Sequence, residues 1–592
     1  MKLSDFTIDF IAKQGVNHIF EFIGGAITHL IDSTYGRSDI ACVSVHHEQA
    51  GAFAAEAYAR MNGKLGVAMA TSGPGALNLI TGIGSCYFDS IPCLFITGQV
   101  NTYEYKFDRP VRQIGFQETD IVSVAKPLTK YAAMVVDPEM IRYHLEKAVY
   151  LAQNGRPGPC LLDIPLNIQR AQVDPAKLPS FFDSEEYRQM SVQHPPDEES
   201  VRQIAELIRS AKRPVVLAGG GIRTGLAAEE LQRLIELTNI PVVTSLMGLD
   251  VIPHDHPAFF GMIGAYGNRF SNLAVANADL LLILGSRLDS RQTGTRPDTF
   301  ARAAKKVHVD IDPHELNAKV KADITIRSGL REFLVSLNAR LQGAPKADLS
   351  PWYALLNDLR KRYPTASLAP ETTGINPNQF LELLSGLCRE GDVICLDVGQ
   401  NQMWAAQSFS LKKDQRMLIS GGMGAMGFSL PAALGAAKAA QGKRAIVISG
   451  DGGIQINIQD LDTIVKHDLP VKIFVLNNEC LGMVRQFQDM YFGGRHQSTV
   501  IGYGCPNLVK IAEAYGIPSY SITVMEQAKT VIDRALEAQG PAFIEVRLGR
   551  DTMVNPKLLV NKPIEDMSPL LDREELKKVM LVEPAEEKDI PK

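Results

Sequence analysis

The sequence predicts an α/β protein of three domains, each with a central parallel sheet flanked by helices. Three observations carry that expectation. Short apolar runs alternate with stretches of helical spacing along almost the whole chain, the pattern of repeated βαβ units. Two stretches break the rhythm: about 170–200, rich in Pro, Asp, Glu and Gln, and about 343–378, containing GAPKADLSPW and ASLAPETTGINPN. Both read as linkers. At 592 residues, the chain has room for roughly three to four domains of about 150 residues. The expected units are therefore 1–175, 195–342 and 375–550, followed by a tail, 551–592.

Composition narrows the function classes. Apolar residues make up 45% and charged residues 21%, with a net charge of −5, so no basic field exists for nucleic acid or an anionic membrane. No apolar run approaches the ~18 residues of a membrane span. MKLSDFTIDFIAKQGVNHIF is polar with helical spacing and does not read as a signal peptide. Cys42, Cys86, Cys93, Cys160, Cys388, Cys395, Cys480 and Cys505 form no CxxC or Cys/His ligand spacing. They read as buried thiols of a reducing compartment, so a cytoplasmic location is expected.

In the first unit, GVAMATS, PCLFITG and PCLLDIP read as strands. SVHHEQAGAFAAEAYAR supplies a strand end, then Glu48, then a helix of small residues. An acid there is ordinarily a cap or dipole partner. In the second unit the strands are RPVVLAGGG, LLLILGS and KVHVDID. VVLAGGGIRTG, a strand entering a glycine-rich turn, is alone a weak dinucleotide signal. Asp310 closes KVHVDID, where an acid can meet an adenosine moiety.

The third unit carries DVICLDVG, RAIVISGDG, VKIFVLNN and AFIEVRLG. RAIVISGDGG runs a strand into a turn whose Gly450 and Gly452 permit close backbone approach, with Asp451 at the sheet's carboxyl edge. IQINIQDLDTIVKHDL then has helical spacing, which predicts N-terminal amides facing a phosphate. VKIFVLNN returns Asn477 and Asn478 to the same edge. Asp451 and Asn478 together suit a hard divalent ion such as Mg²⁺, which takes few protein ligands and completes its octahedron with diphosphate oxygens. An incidental turn acid in a βαβ unit is the competing reading. In the tail, MSPLLDREELKKVM is expected to form a short amphipathic helix, and the segment to wrap the surface or a neighbouring subunit.

GDG and, 24 residues on, NN resemble the thiamine diphosphate (ThDP) motif of 2-oxo acid decarboxylases and carboligases. The segments FIGGA, HHEQAGAFAAEAYAR, ATSGPGALNLITGI, ITGQV, FQETDIV, NGRPGPCLLDIP, DVGQNQM, SGGMGAMGFSLPAALGA and LGMVRQFQDM follow in the order found in acetohydroxyacid (acetolactate) synthases. The resemblance extends to about Arg550.

That resemblance implies two ThDP-binding folds around a Rossmann-like middle domain. The first would bind the pyrimidine side and the third the diphosphate, with the cofactor between the first domain of one subunit and the third of its partner. A homodimer is then the minimum, and a tetramer is expected. The metal ligands implied are Asp451, Asn478 and the Cys480 backbone carbonyl. The catalytic residues implied are Glu48, which would protonate the pyrimidine ring, Gln117, and Met426, which would hold the cofactor bent. Cofactor contacts would come from Gly25, Glu48, Pro74 and Asn78, and from Gly399, Gln400, Gly424 and Met426. Gly450, Asp451, Gly452, Gly453, Asn478, Cys480, Leu481, Gly482 and Met483 complete that set.

For FAD the implied positions are Arg156, Gly219, Gly220, Gly221, Thr244, Ser245, Leu246, Gly261 and Met262. Gly285, Arg287, Asp289, Arg291, Asp310, Ile311 and Asp323 complete them. The flavin's role would be structural, because carboligation needs no net redox change. Substrate would meet Gly25, Phe116, Gln117, Leu166, Arg291 and Phe487, with Arg291 offering its fork to a carboxylate.

The sequence departs from the synthase pattern at Leu166 (usually lysine), Phe487 (tryptophan), Asn401 (histidine) and Ile263 (histidine), and in a longer TYEYKFDRPVRQIG. These changes imply a roomier, less cationic pocket. The expected activity is decarboxylation of pyruvate, or another 2-oxo acid, and transfer of the acyl-anion equivalent to a second carbonyl. A bulkier ketone or aldehyde such as a keto sugar could replace the second 2-oxo acid as acceptor. The same scaffold could instead serve a decarboxylase or C–C hydrolase, an acyl-CoA lyase or a catalytically silent paralogue. No basic C-terminal grip for CoA is evident, and Glu48, Asp451 and Asn478 are all present, which disfavours the last two.

Overall fold

The computed structural model describes residues 1–190, 195–367, 374–440 and 442–585. Parts of both predicted linkers, 191–194 and 368–373, lie outside them. Three six-stranded parallel sheets dominate. The first orders its strands Ala41–Ser44, His18–Phe22, Gly66–Ala70, Cys93–Gln99, Cys160–Pro165 and Tyr131–Met134. The third orders Arg416–Ile419, Val393–Leu396, Ala445–Gly450, Val471–Asn477, Ala542–Arg547 and Ser519–Ile522. Numbered from their own first strands, both read 2-1-3-4-6-5, one topology used twice. The middle sheet runs Ile324–Arg327, Lys305–Asp310, Leu280–Leu284, Pro214–Ala218, Val242–Thr244 and Phe259–Met262. In its own numbering it is the doubly wound order 3-2-1-4-5-6 read backwards.

The strands legible in the sequence are the central ones, buried on both faces and therefore continuous apolar runs. Edge strands such as Ala41–Ser44 and Tyr131–Met134 escape that signal because they are half-exposed.

The segment after Gly450 departs from expectation. It is not one helix but a short turn of helix, Asp451–Ile454, a 3₁₀ turn, Ile458–Asp460, and a helix, Leu461–Lys466. Asn457 sits at the break, its side-chain nitrogen donating to the Gly427 carbonyl at 2.8 Å and to Gln49 Oε1 at 3.1 Å. These tertiary bonds outcompete helical continuation.

The first and third sheets share one hydrophobic core. Its seam is the small-residue helix Glu48–Asn62 against the helix Ser429–Ala439, with Phe53 and Phe428 edge-to-face at 5.4 Å. A Cβ at Gly435 would fall 2.8 Å from Ala54 Cα and closer still to the Ala54 carbonyl oxygen. Gly435 therefore lets the two backbones touch.

The tail packs back on the chain. It forms a two-stranded antiparallel ribbon, Lys557–Leu558 with Met567–Ser568, and then the helix Arg573–Val579. Trp404 Nε1 donates to the Met553 carbonyl, and buried Arg269 donates to the Met567 and Pro569 carbonyls. Asn277 brackets the tail helix's end, donating to the Val579 carbonyl and accepting from the Leu581 amide.

Candidate active site

Asp451 and Asn478 emerge from adjacent parallel strands whose register pairs Gly450 with Leu476, so both lie at one carboxyl edge. Asp451 is buried, and burial pushes its carboxyl up to about 6 against hydrogen bonds from the Tyr503 hydroxyl (2.7 Å) and the Asn478 backbone. Asn478 Nδ2 donates to Gln400 Oε1 at 3.0 Å. Gly482 packs against this pair: a Cβ there would collide with Gln400 Oε1 and stand 2.7 Å from Asn478 Nδ2. A Cβ at Gly452 would lie 3.3 Å from the tip of half-buried Met426 and 2.8 Å from Leu481 Cδ2. Asp451, Gly452, Met426, Gln400, Asn478, Leu481 and Gly482 thus form one cluster. Cys480 is buried beside it, while Gly399, Gly424, Gly450 and Met483 line the partly open side.

Asp397, which sequence reasoning passed over, organises that cluster. Its wholly buried carboxylate accepts from the Val398, Gly427 and Ser429 amides and the Ser429 hydroxyl, at 2.7–3.0 Å. Gly453 packs on it, a Cβ there falling 2.7 Å from Asp397 Cγ. One acid therefore fixes both the loop bearing Met426 and the turn bearing Asp451. Asn401 bridges the same strand ends, donating to the Asp397 and Ile448 carbonyls.

Glu48 opens its helix in a second cluster. It is buried, and Asn78 Nδ2 donates to its Oε2 at 2.9 Å. A Cβ at Gly75 would lie 3.0 Å from Glu48 Oε1, so Pro74–Asn78 presses directly on the acid. Gly73 meets Gln117 in the same way at 3.0–3.1 Å. Gln117 sits at φ 64° in a loop that Glu118 anchors by accepting from the Lys106, Ile114 and Gly115 amides. Gly25 and Phe116 are exposed, and Leu166 is half-buried at the first turn after Pro165. Among the described residues no hydrogen bond joins Glu48 to Asp451, Asn478 or Gln400 within one chain.

A cleft of about 1430 Å³ opens between the middle sheet and the other two. Arg156, Gly220, Gly221, Ser245, Leu246, Met262, Gly285, Arg287, Asp289, Arg291, Asp310 and Ile311 line it. Gly219, Thr244, Gly261 and Asp323 do not. Gly219 lies beneath it against Gly285, and Thr244 is wholly buried in its strand. Gly261 packs on Asn268, and Asp323 accepts from the Lys306 amide at 2.8 Å on the far side of the sheet. Arg156 is held by Asp312 and Glu315, each at 3.0 Å.

Comparison with known proteins follows the same three-part division. The N-terminal TPP binding domain of thiamine pyrophosphate enzymes matches residues 1–124, their central domain 201–337, and their C-terminal TPP binding domain 397–546. Acetolactate synthase 2, chloroplastic, of Zea mays is 37% identical over 583 residues, covering 96% of this chain and 88% of the relative. The probable acetolactate synthase large subunit of Methanocaldococcus jannaschii is 38% identical, with 92% of each chain covered. The chain belongs to the ThDP-dependent, acetolactate synthase-like family.

For a ThDP enzyme the donor set is chemically apt. Asp451 is a buried carboxylate with no basic side chain paired to it among the described residues, so a cation would offset its desolvation. The Asn478 amide nitrogen is occupied by Gln400, which leaves its oxygen for a ligand. No cluster of three His, Cys, Asp or Glu able to hold a metal occurs among the described residues. A site built from one carboxylate, an amide and a backbone carbonyl is hard-oxygen chemistry, as Mg²⁺ with diphosphate requires. Tyr503, like Asp397, carries no sequence signal for its part here. It lies in an irregular loop 52 residues downstream of the acid it touches.

Proposed function

We propose that this ThDP-dependent carboligase works as an acetolactate synthase, condensing a two-carbon unit from pyruvate with a second 2-oxo acid. Mg²⁺ would be held by Asp451, Asn478 and the Cys480 carbonyl, and FAD would occupy the large cleft. We read 1–175 as the pyrimidine-side domain, 195–342 as the FAD domain, 375–550 as the diphosphate domain and 551–592 as a docked tail. The working unit is read as a cytoplasmic homodimer or a tetramer of such dimers. No helix among the described residues is long and apolar enough to cross a membrane. The cleft exceeds the roughly 300–1,000 Å³ of ordinary ligand pockets, which supports a dinucleotide-sized occupant.

When bound, ThDP supplies the electron sink for loss of CO₂. The chain's own residues supply position and protons. Glu48, kept from water and oriented by Asn78, would pass a proton between its carboxyl oxygen and the pyrimidine ring. Met426, braced on Gly452, shapes the floor. Gln117, on the loop anchored by Glu118, faces the reacting centre. Arg291 offers two parallel N–H donors to the acceptor's carboxylate.

The observation that carries this reading is the buried Glu48–Asn78 pair on a chain that matches acetolactate synthases along nearly its whole length. Incubating the protein with pyruvate, ThDP, Mg²⁺ and FAD should release CO₂ and yield acetolactate. Glu48→Gln should slow proton exchange at the cofactor's C2 about 10²–10⁴-fold while binding it nearly normally. Acetaldehyde as the sole product would sink the carboligase reading.

A further inference from the structure

Lys557, in the tail, is buried with only 7% of its surface exposed. Buried lysines are rare unless an acid pairs with them. Among the described residues this one has no carboxylate partner. Its ammonium stands 5.7 Å from the ring centroids of both Tyr266 and Phe487, and its one polar contact among the described residues is Met490 Sδ at 3.4 Å. Two ring faces and a thioether stabilise a cation weakly and leave its N–H groups without oxygen acceptors.

The position is not that of a loose tail. The Leu558 amide donates to the Ala265 carbonyl at 2.7 Å, and the Ala265 amide donates to the Arg291 carbonyl at 2.6 Å. Gln407 Nε2 donates to the Tyr266 carbonyl (2.9 Å) and the Pro556 carbonyl (3.3 Å), clamping the two segments together. Gln486 grips Val554 through both backbone groups at 2.9 Å. This ladder places Lys557 and Arg291 on neighbouring segments either side of Tyr266. The Arg291 side chain is exposed and likewise unpaired with any acid among the described residues. Phe487, 43% exposed, packs tilted against Tyr491 at 4.6 Å.

We propose that Lys557 is a specificity-determining residue that, with Arg291, binds the carboxylate of the acceptor 2-oxo acid. This rests on the carboligase reading above. It assigns to the tail the cation that Leu166 does not supply at the pocket entrance. A carboxylate between the two would satisfy an ammonium and a guanidinium that have no acid partner among the described residues.

The test compares two acceptors of the same donor unit: pyruvate, which carries a carboxylate, and acetaldehyde, which does not. In the FAD- and ThDP-loaded enzyme, Lys557→Met should lower the acetolactate-to-acetoin partition about tenfold or more. First-turnover CO₂ release from pyruvate should stay within twofold, and Lys557→Arg should restore most of the partition. If the tail merely undocked, both products would fall together, which would overturn the assignment. So would an unchanged partition with normal CO₂ release. Absence of CO₂ release from the unaltered protein would sink the carboligase reading, and this assignment with it.

Discussion

Asp163 is wholly buried in the strand Cys160–Pro165, accepting from Thr97 Oγ1 at 2.8 Å and Gln99 Nε2 at 3.0 Å. Gln99 also donates to the Thr119 carbonyl, so the acid ties the Gln117 loop to the sheet. Burial pushes its carboxyl up to about 7, more than those two hydrogen bonds restore. The native state therefore binds this proton more tightly than the unfolded chain does. The resulting stability is full below about pH 4 and is lost as pH rises to about 7. Asp163→Asn should remove that loss, stabilising the fold above pH 7 by about 4 kcal/mol at most. Unfolding free energies at pH 5, 6, 7 and 8 check it, and parallel pH curves for both proteins would refute it. At this scale the placement of Glu48, Asp451 and Asn478 was legible, because each follows a strand end or turn at a recognisable spacing. Asp397, Tyr503 and Lys557 were not, because their significance lies in partners distant along the chain.

Among the elements, the seam between Glu48–Asn62 and Ser429–Ala439 sets two principles against each other. Alanine in place of a mid-helix glycine ordinarily stabilises by about 1 kcal/mol. At Gly435 the added Cβ would meet the Ala54 backbone, which cannot rotate away as a side chain would. Gly435→Ala should therefore destabilise by roughly 1–3 kcal/mol, read as a lower midpoint in urea. A raised midpoint would show that propensity wins. The broken segment after Asp451 teaches the same lesson. Apolar spacing favours one helix over IQINIQDLDTIVKHDL, yet Asn457's bonds to Gly427 and Gln49 interrupt it. What stands at the carboxyl edge of the sheet is thus a single helical turn, supported by Asp397 and Gly453.

At the scale of the whole molecule, the Glu48 and Asp451 clusters are built on two copies of one topology that share a core, and among the described residues no hydrogen bond joins Glu48 to Asp451, Asn478 or Gln400. Reading the working unit as a homodimer gives each site one cluster from each chain. Mixing Glu48→Gln with Asp451→Ala, each inactive alone, should then recover about a quarter of the activity through hybrid dimers with one intact site. No recovery after subunit exchange would assign both residues to the same chain's site. The tail belongs to this scale as well. Trp404, Gln486 and Arg269, from the third sheet's helices and the middle domain, all donate to its carbonyls, so it is a structural part of both. The sequence by itself determined the three-sheet α/β plan, the ThDP family and the acids and amides at the strand ends. Those signals are local: a periodicity, a turn, a spacing. Only the tertiary structure decided what holds Asp451 and Met426 in register, where the tail lies, and that Lys557 is buried with no acid paired to it among the described residues. Those facts depend on contacts between residues far apart in the chain, and no local pattern encodes them.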